Sequence, residues 1–469
     1  MKSLVVVSNR LPALRGSRPQ AGGLAVALLG ALNEHTALWF GWNGRISKET
    51  ITRARMHRSQ GVELASIPLT REDFNEYYLG YANEVLWPVF HFSLGAMDYR
   101  RSFAEAYYRV NRLFADALRP LLSGDELIWV HDYHLIPLGR ELRDRGIQQR
   151  LGFFLHTPFP SYGLVRAVPD YRRLLSDLCA YDLIGFQTTI DMRAFTDSVI
   201  EAIGVRRAGD GQLRFGDHLL RTGVYPVGID VEANVATADQ ALEVPRVKHL
   251  IAGLGRRDLI IGVDRLDYSK GLPQRFRAYQ ALLADYPHRR SQTVFMQIAS
   301  PSRTSIPEYD ELRRNLEEMA GHINGEHGDI DWVPIHYMNR TFDRAAVAGL
   351  YRTARVGLVT PLRDGMNLVA KEFVAAQDPH DPGVLVLSEL AGAARELDDA
   401  LQVAPYDVDA IAAGIDQALA MPLAERQRRH VRMMEVMRHN DLHAWRRRFL
   451  NDLAALEVEQ LTARPADPT

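Results

Sequence analysis

The chain has 469 residues, more than one ordinary core accommodates, and this length predicts two large domains. Its 56 basic and 58 acidic residues give a net charge of −2, which provides no overall attraction to nucleic acid or to a membrane surface. No apolar run approaches the roughly 18 residues of a membrane span, and we interpret the apolar start at 4–7 as a strand, not a signal peptide. The single cysteine, Cys179, excludes an intrachain disulfide and favours a cytoplasmic location.

Short apolar runs alternate with helical patterns along the chain. In the first half the runs lie at 4–7, 38–41, 127–130, 152–155, 183–186 and 224–227. The cycle begins again with runs at 259–263, 294–298, 332–335, 356–359, 384–387 and 401–403. Such alternation predicts an α/β protein built from two doubly wound, Rossmann-like domains.

The domain limits follow from this repetition. We place the first domain at 1–230 and the second at 231–439, with a linker without a clear strand at 230–247. A helical pattern at 440–469 is expected to return to the first domain. Because ligands in open α/β sheets bind beyond the carboxyl ends of the strands, two facing domains would form a central cleft. Functional residues are therefore expected just after strands.

The first strand ends at Arg10, and the pair Gly22-Gly23 precedes the next helical pattern. A guanidinium holds an anion through a planar fork, and glycines let a backbone approach a phosphate closely. A glycine pair alone is equally typical of a simple turn. The arginine at the strand end favours an anion site.

Two further strands of the first half end at polar residues. Asp132 lies between His131 and His134 after one strand, and His156 follows the next. A lone histidine is more often a core residue than a catalyst. A metal site is conceivable, but the histidines lie in a strand or loop and not on one helix face, so we expect no metal.

Three cations follow strands of the second half: Arg265 and Lys270 on one loop, and Arg303 on another. Two cations on one loop would stabilise a diphosphate leaving group, although solvated surface charges are the simpler interpretation. The aromatic residues Tyr78 and Trp87 can pack against a sugar or close a phosphate pocket. Core packing is their more common role.

The most informative segment is 360–372, where a strand leads through Asp364 and a glycine into a helical pattern that includes Glu372. Free amides and the helix dipole at such a turn attract an anion, and the Asp364 carboxylate can accept hydrogen bonds from sugar hydroxyls. The simpler alternative makes Asp364 an N-cap and Glu372 a solvated helix residue.

Seven segments in one order resemble the trehalose-6-phosphate synthases: 7–10, 21–24, 39–42, 130–135, 154–160, 264–271 and 363–368. The resemblance spans about residues 3 to 455. It implies a retaining glycosyltransferase of the two-Rossmann (GT-B) type, with two domains facing a central cleft and no metal or other cofactor. Such an enzyme transfers glucose from UDP-glucose to glucose 6-phosphate. One departure is at 161–164, where the family often has an acidic residue before a helix.

The resemblance also implies roles for individual residues. Those expected to bind the acceptor are Arg10, Tyr78, Trp87, Asp132 and Arg303. Those expected to bind the donor are Gly23, Arg265, Lys270, Asp364, Gly365, Met366, Asn367, Leu368 and Glu372. The expected catalytic residues are His156, Arg265, Lys270 and Asp364. Asp364 and Glu372 together resemble the signature of retaining GT-B enzymes, an acidic residue followed after seven others by a glutamate.

Two alternatives stay open. A related transferase, such as a glucosylglycerol-phosphate synthase, would use glycerol 3-phosphate as acceptor or take glucose from ADP-glucose or GDP-glucose. A protein of another class would be a non-catalytic sugar-phosphate sensor. We expect neither nucleic acid nor membrane as a partner and leave a homo-oligomer open. A separate trehalose-phosphate phosphatase would act on the product, because the sequence contains no plausible phosphatase segment.

Overall fold

The computed structural model describes residues 3–12, 37–59, 61–209, 211–303 and 306–456. The chain divides into two compact units: Met1–Pro226 with Trp445–Thr469, and Val227–Ala444. It therefore passes from the first unit to the second after Pro226 and returns at Trp445. The limits expected from the sequence, 230 and 440, lie within a few residues of these two crossings.

The first unit contains a ten-stranded sheet with the order β3-β4-β2-β1-β5-β6-β7-β10-β9-β8. Its strands are β1 Leu4–Arg10, β2 Ala37–Ser47, β3 Arg55–Ser59, β4 Val62–Thr70, β5 Leu127–His131, β6 Leu151–Phe154, β7 Leu183–Phe186, β8 Arg206–Gly209, β9 Gln212–Phe215 and β10 His218–Val224. The pairs from β4 through β2, β1, β5, β6 and β7 to β10 are all parallel. The parallel strands reverse their order between β1 and β5. The carboxyl ends of these two strands are therefore the switch point of a doubly wound sheet.

Helices accompany these strands. The longer ones are α1 Arg101–Leu118, α2 Leu138–Asp144, α3 Tyr171–Leu178 and α4 Thr189–Ile203. Single helical turns occupy Arg71–Asp73, Trp87–Phe90 and Tyr162–Val165, and 3-10 turns occupy Leu94–Ala96, Arg119–Leu121 and Tyr133–Leu135. A π-helix at Phe74–Leu86 is the unusual element, because π-helices are rare and often lie at functional sites.

The second unit contains a six-stranded sheet in which every pair is parallel, in the order β13-β12-β11-β14-β15-β16. Its strands are β11 Asp258–Arg265, β12 Thr293–Ser300, β13 Ile335–Met338, β14 Val356–Val359, β15 Val384–Ser388 and β16 Leu401–Val403. This is the strand order of a Rossmann sheet, with its switch point between β11 and β14. The expected α/β class with two doubly wound domains is confirmed.

The helices of this unit are α5 Val231–Ala241, α6 Pro245–Leu254, α7 Leu272–Asp285, α8 Pro307–His327, α9 Arg344–Thr353, α10 Leu368–Ala376, α11 Val408–Ala420 and α12 Leu423–His439, and α13 Leu442–Ala455 leads back to the first unit. Its 3-10 turns lie at Tyr268–Lys270, Pro287–Arg289 and Gly392–Arg395. In the part of the chain that the structure describes, no helix is both long and apolar enough to cross a membrane.

Three sequence-based element predictions are wrong. The strand expected at 224–227 ends at Val224, and the one expected at 332–335 begins only at Ile335. Each of these segments contains a proline, which has no N–H to donate to a sheet. The expected linker at 230–247 is helical, because Asp230 caps α5 by accepting a hydrogen bond from the Ala233 amide at 3.0 Å.

The C-terminal helix packs into the first unit through Phe449, which is fully buried. Its ring lies 4.9 Å from Trp129 and 5.1 Å from Tyr225, measured between centroids. Gly152 on β6 and Gly185 on β7 leave space for this ring, since a Cβ at either position would lie 2.8 Å from it. The returning helix therefore covers β6 and β7 of the sheet.

Replacing Phe449 by alanine should lower the free energy of unfolding of the first unit by about 3–5 kcal/mol, because rigid strands around two glycines cannot close the cavity. Urea unfolding followed by tryptophan fluorescence measures the loss. Phe449→Leu, which keeps most of the apolar volume, should cost clearly less. Equal stability of wild type and Phe449→Ala would contradict this packing.

Candidate active site

The switch point of the second unit brings together the loops that follow β11 and β14. The amide of Leu362, after β14, donates to the carbonyl of Ser269, after β11, at 2.8 Å. The Lys270 ammonium forms an ion pair with the Asp364 carboxylate across this junction. Both side chains are largely buried, at 10% and 14% exposure. A cation and a carboxylate 94 positions apart in the sequence thus share one polar site.

The turn before helix α10 offers several backbone amides. Asn367 is the N-cap of this helix, with φ 75°, and its side chain accepts a hydrogen bond from the Ala370 amide at 3.3 Å. Asp364 is therefore not the N-cap. Its carboxylate accepts a hydrogen bond from the side-chain amide of Asn367 at 3.0 Å. Within the described ranges, no acceptor is found for the backbone N–H groups of Gly365, Met366, Asn367 and Leu368. Amides of this kind can bind an anion or a hydroxyl.

The same turn is held from behind by the loop after β15. The Gly392 amide donates to the Asp364 carbonyl at 3.1 Å, and the Ala393 amide donates to the Met366 carbonyl at 2.7 Å. A Cβ at position 392 would lie 1.8 Å from the carbonyl oxygen of Gly365, so only glycine fits there. The turn is thus fixed by backbone contacts and not by its own side chains alone.

A buried arginine connects the loop after β11 with the loop after β14. Arg275, on α7, has no solvent exposure and forms an ion pair with Asp264 of β11. Its guanidinium also donates to the Thr360 hydroxyl at 2.9 Å and to the Lys270 carbonyl at 3.1 Å. Burial raises the pKa of Asp264 in spite of the cation beside it. Arg275 was not recognisable as a site residue from the sequence, because an arginine inside a helical pattern carries no signal of burial.

The remaining cations and the second glutamate lie around this site. Arg265 is exposed at the end of β11. Arg303 has φ 48° and pairs with the buried carboxylate of Asp267 at 2.8 Å. Glu372 is half-buried on α10, and burial raises its pKa, which the guanidinium of Arg344 partly offsets. Glu372 is therefore not a solvated helix residue.

In the first unit, Arg10 and Tyr78 both lie close to Trp42. The Arg10 guanidinium is 5.3 Å from the Trp42 ring centroid, and the Tyr78 ring is 5.8 Å from it. Tyr78 also stacks on His134 at 5.8 Å. A Cβ at Gly44 would lie 2.9 Å from the guanidinium, so this glycine leaves room for Arg10. Trp42 belongs to a segment used for the resemblance but was not expected at the site.

The loop after β5 connects two more expected residues. Asp132 has the unusual φ of 75°, and its carboxylate accepts a hydrogen bond from the His156 amide at 3.2 Å. Trp87 is buried, 3.8 Å from the His91 ring and 5.9 Å from the Tyr133 ring between centroids. The structure thus brings Trp87 next to the residue that follows Asp132.

His156 forms a pair with His131, and Nδ1 of His131 lies 3.1 Å from Nε2 of His156. Burial lowers the pKa of His156 to about 3. Burial and the neighbouring imidazole lower the pKa of His131 well below its usual value. Both rings are therefore neutral near pH 7 and can exchange hydrogen bonds without carrying charge.

Gly23 and its neighbour Gly22 lie outside the described residues. Within the described ranges, no group of three or more His, Cys, Asp and Glu side chains is arranged to hold a metal ion. Asp407 is the N-cap of α11 and accepts a hydrogen bond from the Ala410 amide at 2.9 Å.

Two doubly wound domains, each with polar loops at its switch point, are the architecture of the GT-B glycosyltransferases. The chain belongs to glycosyltransferase family 20, whose family model matches residues 2–455. This is the family indicated by the sequence resemblance.

Curated relatives are similar over nearly the whole chain. The trehalose-6-phosphate synthase of Cronobacter sakazakii is 47% identical over 453 residues, which cover 97% of this chain and 95% of the relative. The trehalose-6-phosphate synthase of Klebsiella pneumoniae is 48% identical with the same coverage.

Solved structures are similar to the same extent. The UDP-forming α,α-trehalose-phosphate synthase of Burkholderia vietnamiensis is 46% identical, with a TM-score of 0.95 over 97% of each chain. The E. coli protein bound with UDP-2-fluoroglucose is 46% identical, with a TM-score of 0.93 over 97% of this chain and 99% of its own. The Burkholderia xenovorans synthase in complex with glucose 6-phosphate is 44% identical, with a TM-score of 0.92 over 97% of this chain and 100% of its own.

Replacing Arg275 by methionine should lower the free energy of unfolding of the second unit by about 3–5 kcal/mol, because Asp264 would stay buried without its cation. Chemical denaturation measures the loss. The double variant Arg275→Met/Asp264→Asn should lose less free energy of unfolding than the two single variants lose together, since both changes act on one interaction. Additive losses would show that the ion pair is not coupled.

Proposed function

We propose that the chain is a retaining glucosyltransferase that moves glucose from UDP-glucose to glucose 6-phosphate, giving α,α-trehalose 6-phosphate and UDP. The observation that carries this proposal is the junction of Lys270 and Asp364 beside the amides of Gly365 to Leu368. One site there offers a cation for a phosphate, a carboxylate for sugar hydroxyls and free amides for either. The similarity to a protein bound with UDP-2-fluoroglucose supports this assignment.

On the donor side, Arg265 and Lys270 are proposed to hold the diphosphate, and Asp364 and His156 the glucose. Gly23 would contact the diphosphate, and Glu372 would bind the ribose. Lys270 is paired with Asp364. When the diphosphate binds, the ammonium would therefore be shared between the carboxylate and the phosphate oxygens, which places the sugar and the diphosphate in a fixed relation.

On the acceptor side, Arg10, Tyr78, Trp87 and Arg303 are proposed to hold the phosphate of glucose 6-phosphate, and Asp132 its hydroxyls. The support is the contact of Arg10 and Tyr78 with one tryptophan, Trp42, which fixes a cation among aromatic rings. The pairing of Arg303 with Asp267 likewise fixes its guanidinium. A cation held in place by its neighbours loses less conformational freedom when it binds an anion.

The chemical step is proposed to proceed on one face of the sugar. The acceptor hydroxyl attacks the anomeric carbon on the side from which UDP leaves, and its proton passes to the departing phosphate oxygen. The two bonds change on the same face, so the anomeric configuration is retained. Arg265 and Lys270 would stabilise the negative charge that grows on the leaving diphosphate.

Mixing the protein with UDP-glucose and glucose 6-phosphate and measuring UDP release tests the proposal, and NMR of the product checks the α,α linkage. ADP-glucose, GDP-glucose and glycerol 3-phosphate, each in place of its counterpart, serve as comparisons. Faster release with one of these would favour the related transferase. Binding of glucose 6-phosphate without nucleotide release for any pair would favour the sensor.

Replacing Arg265 by alanine should lower kcat by roughly a hundredfold or more, because a charge that stabilises the transition state is lost. Steady-state UDP release measures the effect. Arg277→Ala, which removes an exposed arginine of the same unit, is the matched control and should be close to wild type. A near-normal rate for Arg265→Ala would remove this residue from the mechanism.

Replacing Gly392 by alanine should weaken UDP binding at least tenfold, because the new methyl group must displace the Gly365 carbonyl and the amides beside it. Calorimetric titration with UDP measures the change. Gly325→Ala, where a Cβ meets nothing within 4 Å, is the control and should bind UDP normally. Unchanged affinity in Gly392→Ala would show that the turn does not contact the nucleotide.

We further propose a cytoplasmic location, which the single buried cysteine supports, since Cys179 is the only thiol of the chain. The product retains a phosphate, so a separate phosphatase would have to release free trehalose. Self-association stays open and is measurable by light scattering.

A further inference from the structure

The histidine pair of the first unit contains one residue to which the proposed reaction assigns no role. His131 is the last residue of β5, and its side chain is buried. His156 follows β6, the neighbouring parallel strand, and is half-buried. The two strands therefore hold the imidazoles at a fixed separation, with 3.1 Å between Nδ1 of His131 and Nε2 of His156.

The surroundings of the pair are aromatic. The His131 ring lies 4.4 Å from Trp129 and 6.4 Å from Trp445, and the His156 ring lies 4.7 Å from Phe154, measured between centroids. Such an environment disfavours an imidazolium, in agreement with the lowered pKa of both rings. Each ring then carries one proton, and a hydrogen bond requires a proton on only one of the two facing nitrogens.

The other nitrogen of His131 decides which ring donates. Its Nε2 is buried and has no hydrogen-bond partner within the described part of the chain. If Nδ1 of His131 accepted, the proton of that ring would lie on Nε2, where a buried N–H would have no acceptor. The opposite arrangement leaves only a lone pair there, and buried acceptors without a partner are tolerated better than buried donors.

We infer that His131 is a positioning residue: it donates from Nδ1 to Nε2 of His156 and so confines the proton of His156 to Nδ1. Nδ1 of His156 makes no hydrogen bond within the described ranges. It is thus left as an N–H donor, suited to the oxygen of a sugar hydroxyl and unable to accept from one. This role rests on the proposed function, in which His156 contacts the donor glucose.

The tautomers are measurable in the unliganded wild-type protein by NMR of 15N-labelled imidazoles. The expected result is a proton on Nδ1 of both rings, with coupling through the hydrogen bond from the His131 Nδ1–H to Nε2 of His156. A proton on Nε2 of His156 would overturn the inference. The measurement needs no substrate, so it stands even if UDP-glucose proves not to be the donor.

Two variants test the consequence for the reaction. His131→Leu removes the donor and should lower kcat/KM for UDP-glucose about tenfold, with the proton of His156 distributed over both nitrogens. His131→Asn keeps an N–H donor near the position of Nδ1 and should restore most of the activity and the Nδ1–H tautomer. If the two variants had equal activity and the same tautomer of His156, the inference would be contradicted. A purely structural role of His131 would not make the tautomer of His156 depend on an N–H donor at position 131.

Discussion

The buried guanidinium of Arg275 is the interaction on which the order of the second unit depends. Within one side chain it reaches a carboxylate of β11, the hydroxyl of Thr360 after β14 and the carbonyl of Lys270. These are the strands between which the sheet reverses its order. A cation without exposure costs free energy unless several acceptors surround it, so Arg275 is tolerated only with both loop bases in place. Lys270 and Asp364 lie on these two loops, so Arg275 also fixes the distance between them.

In the first unit, aromatic rings hold the polar side chains of the proposed site in place. Arg10 lies at the end of a strand and is exposed, yet its guanidinium is confined by Trp42, which in turn contacts Tyr78. The polar atoms of His131 and His156 are placed by neighbouring strands in aromatic surroundings. Charge is thus used sparingly. This agrees with a chain whose basic and acidic residues nearly balance, where a few placed groups and not a general field have to bind anions.

The sequence predicted the buried strands better than the exposed ones. The runs at 183–186 and 356–359 have the same limits as β7 and β14, because strands covered on both faces read as continuous apolar segments. The edge strand β3 is mostly exposed and gives no such pattern. For the site, residues at strand ends were recognisable, since parallel strands carry them to one edge. Arg275 and the proton placement in His131 were not, because burial and unpaired atoms exist only in three dimensions.

The π-helix at Phe74–Leu86 makes the length of its segment as important as its composition. Tyr78 and Trp87 are nine positions apart, and at 3.6 residues per turn they would point to opposite sides of a helix. The wider turn of a π-helix brings them round to one side, where their rings meet the neighbours His134 and Tyr133. Loss of a single residue anywhere between them would rotate Trp87 about the helix axis relative to Tyr78 without altering either side chain. Within the family, insertions and deletions in this segment should therefore be as informative about acceptor binding as substitutions at the binding residues themselves.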